Sequence, residues 1–488
     1  MSMIRNNNRW NKGYTSKIGK EHSKMTQYGT QDNELRSTKP PLTYKLLIGT
    51  LVACLGALQY GYHIAELNAP EQFLVCSNVK TTFGDIDCIP MSDSQFGLVT
   101  SMFSIGGLLG SFFIGHYSQR YGRRKTSLYI SIIAITGSMI MYQSHTFLMI
   151  LIGRLIVGIS CGAGIVITPI YINEISPVEW KGTLGSMNQL SINLGILLTQ
   201  TLAIKFANEL QWRYLLFVGI ILAIINWIGW YVVSESPKWL VLNNNLNEAI
   251  NYLVSLRHCN IDIAKQEIKQ WTEGETDTDF NEITFWQYIT NSNYLKPRLA
   301  ITLLLVGQQF SGINSIIFYG VKIVSQLMSQ YAILINFGIS ITNVVITFLS
   351  GMIIDKSGRK PLLIISTIIM SIMSLIISIS ILNNLTQWLI IGLFGYIIAF
   401  AIGLGPIPFL IIGELSSVET ISQAQSYGTV CNWIATFIIG FGFPIVNKII
   451  GGYTYMIFSI LTIILMFCIR QYIPETKGTR NSNEVWQN

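Results

Sequence analysis

The chain has 488 residues, half of them hydrophobic and only 12% charged, with a formal net charge of +7. Soluble proteins carry about 25% charged residues, so this composition excludes an ordinary soluble domain and marks a membrane protein. The excess of basic residues is no nucleic-acid footprint, because they sit in short loops between apolar runs, and no nucleic-acid partner is expected.

Residues 1–44 are polar and rich in Asn and Lys, and read as a disordered cytosolic tail. They lack the apolar stretch of a secretory signal, so the first span is expected to direct the chain to the bilayer. Runs of about 20 mostly apolar residues then occupy 45–66, 95–116, 126–143, 147–171, 185–205 and 212–233, giving a first bundle over 45–233. Residues 234–297 are polar and helix-friendly, as in "LNEAINYLVSLRH", and predict a cytosolic linker of short amphipathic helices. Six further runs occupy 298–327, 331–354, 361–382, 387–413, 424–446 and 451–473, giving a second bundle over 298–473 before a cytosolic tail at 474–488.

Basic residues cluster after the second run (Arg120, Arg123, Arg124, Lys125) and after the eighth (Lys356, Arg359, Lys360). Loops of opposite parity, "SHTF" and "NNLTQ", hold neither Lys nor Arg. The positive-inside rule therefore puts both termini in the cytosol. Cys76 and Cys88 share one non-cytosolic loop, where a disulfide and two free thiols fit equally well. No CxxC or His cluster suggests a metal, and no nucleotide loop or catalytic triad suggests an enzyme or a cofactor.

The chain repeats itself after about 240 residues. "GHYSQRYGRRK" (Gly115–Lys125) returns as "GMIIDKSGRK" (Gly351–Lys360), "EISPVE" (Glu174–Glu179) as "ELSSVE" (Glu414–Glu419), and "SESPK" as "IPETK". Each pair follows the second, fourth or sixth run of its half. Two six-span repeats in parallel orientation are the mark of a transporter with its site at the midplane.

Polar residues inside the apolar runs locate that site. "GQQFSGINSIIFYG" (Gly307–Gly320) carries Gln308, Gln309, Asn314 and Tyr319, with Gly307 and Gly312 able to break the helix. Uncharged amides offer donors and acceptors that match sugar hydroxyls, although amides also hydrogen-bond neighbouring helices. "GLGPIPF" places Pro406 and Pro408 in the tenth run, a bend that suits a gate or a static kink. His63 and Glu66, one turn apart in the first run, and Arg154 in the fourth are titratable or charged groups at membrane depth. They are a candidate proton relay, with a fixed ion-pair cluster around a neutral His as the other reading.

In order, "GRRK", "GRLIVG", "PIYINEISPVEWKG", "NQL", "SESPKWL", "QQFSGIN", "DKSGRK", "GLGPIPF", "NW" and "PETKG" resemble the sugar porters of the major facilitator superfamily over about residues 42–480. "LQYGYHIAELNAP" and "FAIGLGPIPFLIIGELS" resemble a fungal branch of these transporters associated with the vacuolar membrane. The resemblance implies an all-α fold of twelve transmembrane helices, a monomer, and alternating access for a hexose, with glucose foremost. A polyol or another sugar, and a non-transporting sugar sensor, are the rival functions. The short C-terminal tail argues against the sensor. The resemblance also implies sugar contacts at Gln189, Gln308, Gln309, Asn314, Asn343 and Asn432, with aromatic walls from Tyr319 and Phe409. It implies a cytosolic latch pairing Arg123, Arg124, Arg359 and Lys360 with Glu174, Glu235, Glu414 and Glu475. Proton-coupled members carry Asp at the position of His63 and facilitative ones Asn, so protons are a candidate second partner; Arg154 matches an intramembrane arginine. The chain departs from the pattern at Phe409 (usually Trp), Ala401 (Glu), Gln119, Lys181, Lys238 and Ile421 (Arg), which predicts a weaker latch in the second half.

Overall fold

The computed structural model describes residues 42–76, 88–177, 180–276, 284–416, 420–477 and 486; most of both predicted tails lies outside them. Twelve membrane-spanning helices follow the apolar runs. The first six spans are Tyr44–Ala65, Asp93–Tyr121, Arg123–Tyr142, Phe147–Ile175, Lys181–Phe206 and Trp212–Val232. Span seven is split into Leu295–Phe310 and Ile313–Met328. Spans eight and nine are Ala332–Ser357 and Arg359–Leu382, and span ten is split into Thr386–Ile402 and Ile407–Leu415. Spans eleven and twelve are Ile421–Ile450 and Tyr453–Tyr472.

Helix starts are marked by side chains that accept otherwise unpaired N–H groups. Thr43 accepts from Leu46, Thr146 from Met149, and Ser92 forms a capping box with Gln95. The outer surface is covered with exposed Tyr129, Leu148, Phe348, Ile449 and Phe467. Apolar groups can face outward where the solvent is hydrocarbon, and a helix meets most of its own backbone bonds.

Between the halves lie the short helices Pro237–Leu242, Leu246–Arg257, Ile261–Thr276 and Phe285–Thr290. The first three pack around Leu240, Ala249, Ile250, Leu253, Ala264 and Ile268, while Tyr288 of the fourth lies edge-on to Tyr427 of span eleven. Thr43 donates to the Leu256 carbonyl, and Arg257 to that of Ile175. The linker therefore binds one end of the first bundle, here called the linker face. At the opposite end Cys76 and Cys88 are joined, with Cα atoms 5.4 Å apart, defining the disulfide face.

Candidate functional site

The break in span seven falls at Ser311–Gly312. Gly312 has φ +96°, and a Cβ there would sit 2.4 Å from the Phe458 ring, so only glycine fits without strain. Gly307, the other candidate breaker, lies inside the preceding helix. Span ten is interrupted over Gly403–Pro406, which leaves carbonyls without helical donors. Pro408 sits in the first turn of the next segment, where its missing N–H costs nothing. Phe409 follows it, half-buried.

The amides of span seven meet this broken backbone. Gln308 Nε2 donates to the carbonyls of Leu404 (2.7 Å) and Gly405 (3.1 Å). Its Oε1 accepts from Asn432 Nδ2 of span eleven (3.2 Å) and from Gln309 Nε2 (3.4 Å). Asn314 Nδ2 donates to Gln309 Oε1 (2.5 Å) and Thr436 Oγ1 (3.4 Å). Gln308, Gln309, Asn314 and Asn432 thus form one buried network across spans seven, ten and eleven. A polyhydroxylated ligand can enter it by exchanging hydroxyls for these mutual bonds.

Gln189 and Asn343 lie on spans five and eight, which face each other across the two halves. Asn193, one turn beyond Gln189, donates to Thr347 (2.8 Å), and Thr347, one turn beyond Asn343, donates to Asn343 Oδ1 (3.3 Å). Sequence reading passed over Asn193 and Thr347; their four-residue spacing from the two candidates was the available signal. Tyr319 stands apart from the amides. Its hydroxyl donates to the Gly440 carbonyl (2.6 Å), and its ring stacks on Phe443 at 5.5 Å towards the disulfide face.

The charged trio is assembled inside the first half. Glu66 accepts from Arg154 Nη1 (2.9 Å) through one oxygen and meets His63 Nδ1 (3.0 Å) through the other. Arg154 also donates to the His63 carbonyl and lies over the Phe103 ring, 4.8 Å from its centre. All three residues are at most 1% exposed, His63 in the last turn of span one and Glu66 at its end. His63 Nε2 faces Gln59 Nε2 at 3.5 Å, and Gln59 Oε1 accepts from Asn226 at 3.4 Å.

The latch repeats in both halves. Gly122 and Gly358 have φ of +90° and +88°, and a Cβ on either would strike the carboxylate of Glu235 or Glu475 (2.3 and 2.9 Å). Each carboxylate caps the helix that begins next: Glu235 accepts from the backbone N–H of Arg123 and Arg124, and Glu475 from those of Arg359 and Lys360. Arg123 Nη2 then reaches Glu174 (2.7 Å), and Arg359 Nη2 reaches Glu414 (2.9 Å). Arg124 departs from the expected acid pairing, for its side chain donates to the Trp230 and Tyr231 carbonyls at the end of span six. Both arginine–glutamate pairs lie within one half and bind neighbouring spans.

Two repeated six-helix bundles, a broken-helix amide site and a twice-built latch define a transporter of the major facilitator type. The profile of the family described as "Sugar (and other) transporter" matches residues 49–483, and the chain belongs to that family. It is 49% identical over 472 residues to a Saccharomyces cerevisiae "Probable metabolite transport protein YBR241C", covering 92% of this chain and 97% of that one. It is 41% identical over 466 residues to "Vacuolar protein sorting-associated protein 73" of the same yeast, covering 91% and 96%. Among solved structures, the E. coli xylose transporter XylE in a partially occluded inward-open conformation superposes with a TM-score of 0.76 at 23% identity, covering 90% of this chain and all of that one.

Proposed function

We propose that this sugar transporter carries a hexose, glucose foremost, by alternating access, with the linker face and both termini in the cytosol and the disulfide face towards a vacuolar lumen. The observation that carries the hexose reading is the buried amide network around Gln308. It is uncharged, rich in both donors and acceptors, and bonded to the broken backbone of span ten, so sugar occupancy and the shape of that span share the same hydrogen bonds. Gln189 and Asn343 extend the site on the facing helices, and Phe409 supplies an apolar face beside the break. The Arg123–Glu174 and Arg359–Glu414 pairs hold the cytosolic ends of neighbouring spans together. The vacuolar assignment rests on resemblance to the fungal branch and accords with the name of one yeast relative.

A second reading, proton-coupled transport, is favoured by the His63–Glu66–Arg154 cluster, a fully buried ionisable set in the first half. Uptake of labelled glucose into proteoliposomes, with and without a pH gradient, tests both. Saturable uptake without a gradient is expected of the facilitator, gradient-driven accumulation of the coupled carrier. Absence of uptake in either condition would overturn the hexose reading.

A further inference from the structure

At the disulfide face the two halves are joined by polar contacts that the sugar site does not use. Asn68, beyond the end of span one, donates to the Ile317 carbonyl (2.8 Å) and accepts from the Val321 N–H (3.0 Å). This pins the first half to the second segment of span seven. Next to it, Lys322 Nζ lies 2.6 Å from Glu71 and 3.2 Å from Asp93, and Lys448 lies 3.9 Å from the other oxygen of Asp93. Both acids belong to the first half and both lysines to the second. Lys322, Lys448, Asp93, Tyr319 and Phe443 line a cavity of about 210 Å³ on this seam.

The four charges are not equivalent. The side chains of Lys448 and Asp93 are 74% and 45% exposed, so their pairing contributes little. Glu71 is buried at 7% exposure, and its Oε2 has no hydrogen-bond partner. Burial pushes the Glu71 carboxyl above the ordinary carboxylate range, with Lys322 drawing it back down. Closing the mouth is therefore costly for charged Glu71 unless a cation accompanies it. The Lys322 side chain is 39% exposed, so removing it strands a buried carboxylate, whereas removing Glu71 leaves an ammonium that water can still solvate.

We propose that Lys322 is the residue that permits the mouth at the disulfide face to close, by supplying the counter-charge that Glu71 needs when span seven folds over it. Lys322 is a positioning residue for transport: it touches no sugar and acts through Glu71. The proposal rests on the alternating-access reading and goes beyond it, because it assigns the energetics of one gate to one pair. It also predicts an asymmetry. Losing Lys322 opens the mouth, losing Glu71 does not, and losing Glu71 repairs the loss of Lys322.

The test uses the full chain in proteoliposomes oriented with the disulfide face outward. Thr100→Cys, buried on span two near Tyr319, is labelled with a membrane-impermeant maleimide and read by peptide mass spectrometry. Lys322→Gln is expected to raise the labelling rate at position 100 at least about tenfold, given the size of the effect of an unpaired buried charge. Lys322→Arg and Glu71→Gln are expected to stay within about twofold of the parent, and Glu71→Gln with Lys322→Gln to return to the parental rate. A parental rate in Lys322→Gln, or a raised rate that persists in the double variant, overturns the proposal. Should Lys322→Gln alone not fold, recovery of folded protein in the double variant supports the same compensation, and failure of the double variant overturns it. Labelling needs no sugar, so a carrier without hexose uptake that keeps this pattern counts against the hexose reading and not against the gate.

Discussion

The two halves were built from one repeat, and their linker-face latches still share a common plan, although Arg359 adds an Nε bond to Glu414 that Arg123 lacks towards Glu174. Arg123 and Arg359 each send Nη1 back to a carbonyl five residues earlier, Ser118 and Ile354, and a second nitrogen to a glutamate, Glu174 and Glu414. Their interiors have diverged. The first half buries charge, as His63, Glu66 and Arg154 around the end of span one, and its span four runs unbroken from Phe147 to Ile175. The second half buries neutral amides, and span ten, the counterpart of span four, is cut at Gly403–Pro406. A buried ion cluster fixes helices relative to one another, because moving any member strands a charge. Amides against a broken helix can exchange partners at small net cost, since each bond contributes only about 0.5–1.5 kcal/mol. The comparison casts the first half as the stator and the second as the part that binds and bends.

The largest expected effect lies at the amide network. Gln308→Leu removes the donors to Leu404 and Gly405 and the acceptor for Asn432. Loss of one or two bonds to a sugar should cost about 1–3 kcal/mol, or roughly 5- to 100-fold in affinity. The protein is expected to stay folded, because Leu fills much of the same volume. Unchanged sugar affinity in the purified variant would remove Gln308 from the site and, with it, the binding role given to the second half.

The matched latches provide the next test. The side chains of Arg123 and Glu174 are 10% and 12% exposed, those of Arg359 and Glu414 13% and 26%. Glu174→Gln should therefore cost about 1–3 kcal/mol, and Glu414→Gln less, because solvent screens the second pair more. Thermal unfolding of the purified variants measures the order. Glu174→Gln is also expected to raise the labelling of a cysteine placed in the linker-face half of the cavity, by shifting the population towards cytosol-open. Equal labelling in variant and parent would reduce the pair to a scaffold contact.

Much of this architecture is legible in the sequence. The twelve apolar runs, the loop repeats and the amides of span seven all announce themselves within short windows. What escapes is whatever depends on how the halves dock. Asn193 meets Thr347 and Lys322 meets Glu71 across separations of 154 and 251 residues, with no periodicity to flag them. The helix breaks are a partial case. Gly and Pro signal them, but Gly307 and Gly312 look alike in sequence, and only Gly312 occupies a positive φ. The latch shows the same limit: side-chain pairing was expected of Arg124, while its N–H groups divide between a carboxylate and the carbonyls ending span six.

His63 tests whether the buried charged cluster of the first half is only a stator. Counterflow across pH 5–8 is expected to vary in the parent and to flatten in His63→Asn if the imidazole gains a proton during the cycle. Glu66 meets one ring nitrogen and Gln59 the other, while Arg154 of span four holds the His63 carbonyl and the Glu66 carboxylate. A pH dependence that survives intact in the variant excludes His63 as the sensor. A flat profile in both proteins leaves the cluster as a fixed support and favours the plain facilitator.

The smallest effect separates the two capping glutamates by acid. Burial pushes the Glu235 carboxyl above the ordinary range, against the N–H groups of Ser236, Arg124 and Arg123 that draw it down. Burial also opposes ionisation of Glu475, yet the N–H groups of Arg359, Lys477, Lys360 and Thr476 prevail and hold it below that range. The signs are opposite. A depressed carboxyl contributes stability that is present above its unfolded pKa and lost as pH falls through the folded value. A raised carboxyl is better tolerated protonated, so its contribution is present at low pH and lost as pH rises. Acidifying the linker face below the ordinary carboxylate range should therefore loosen the first turn of span nine and leave that of span three closed. Hydrogen exchange at the Arg359 and Lys360 amides, corrected for the intrinsic rate, is expected to quicken relative to Arg123 and Arg124 as pH drops. Parallel loss of protection at both sites would show that the two caps share the same energetics despite their different surroundings.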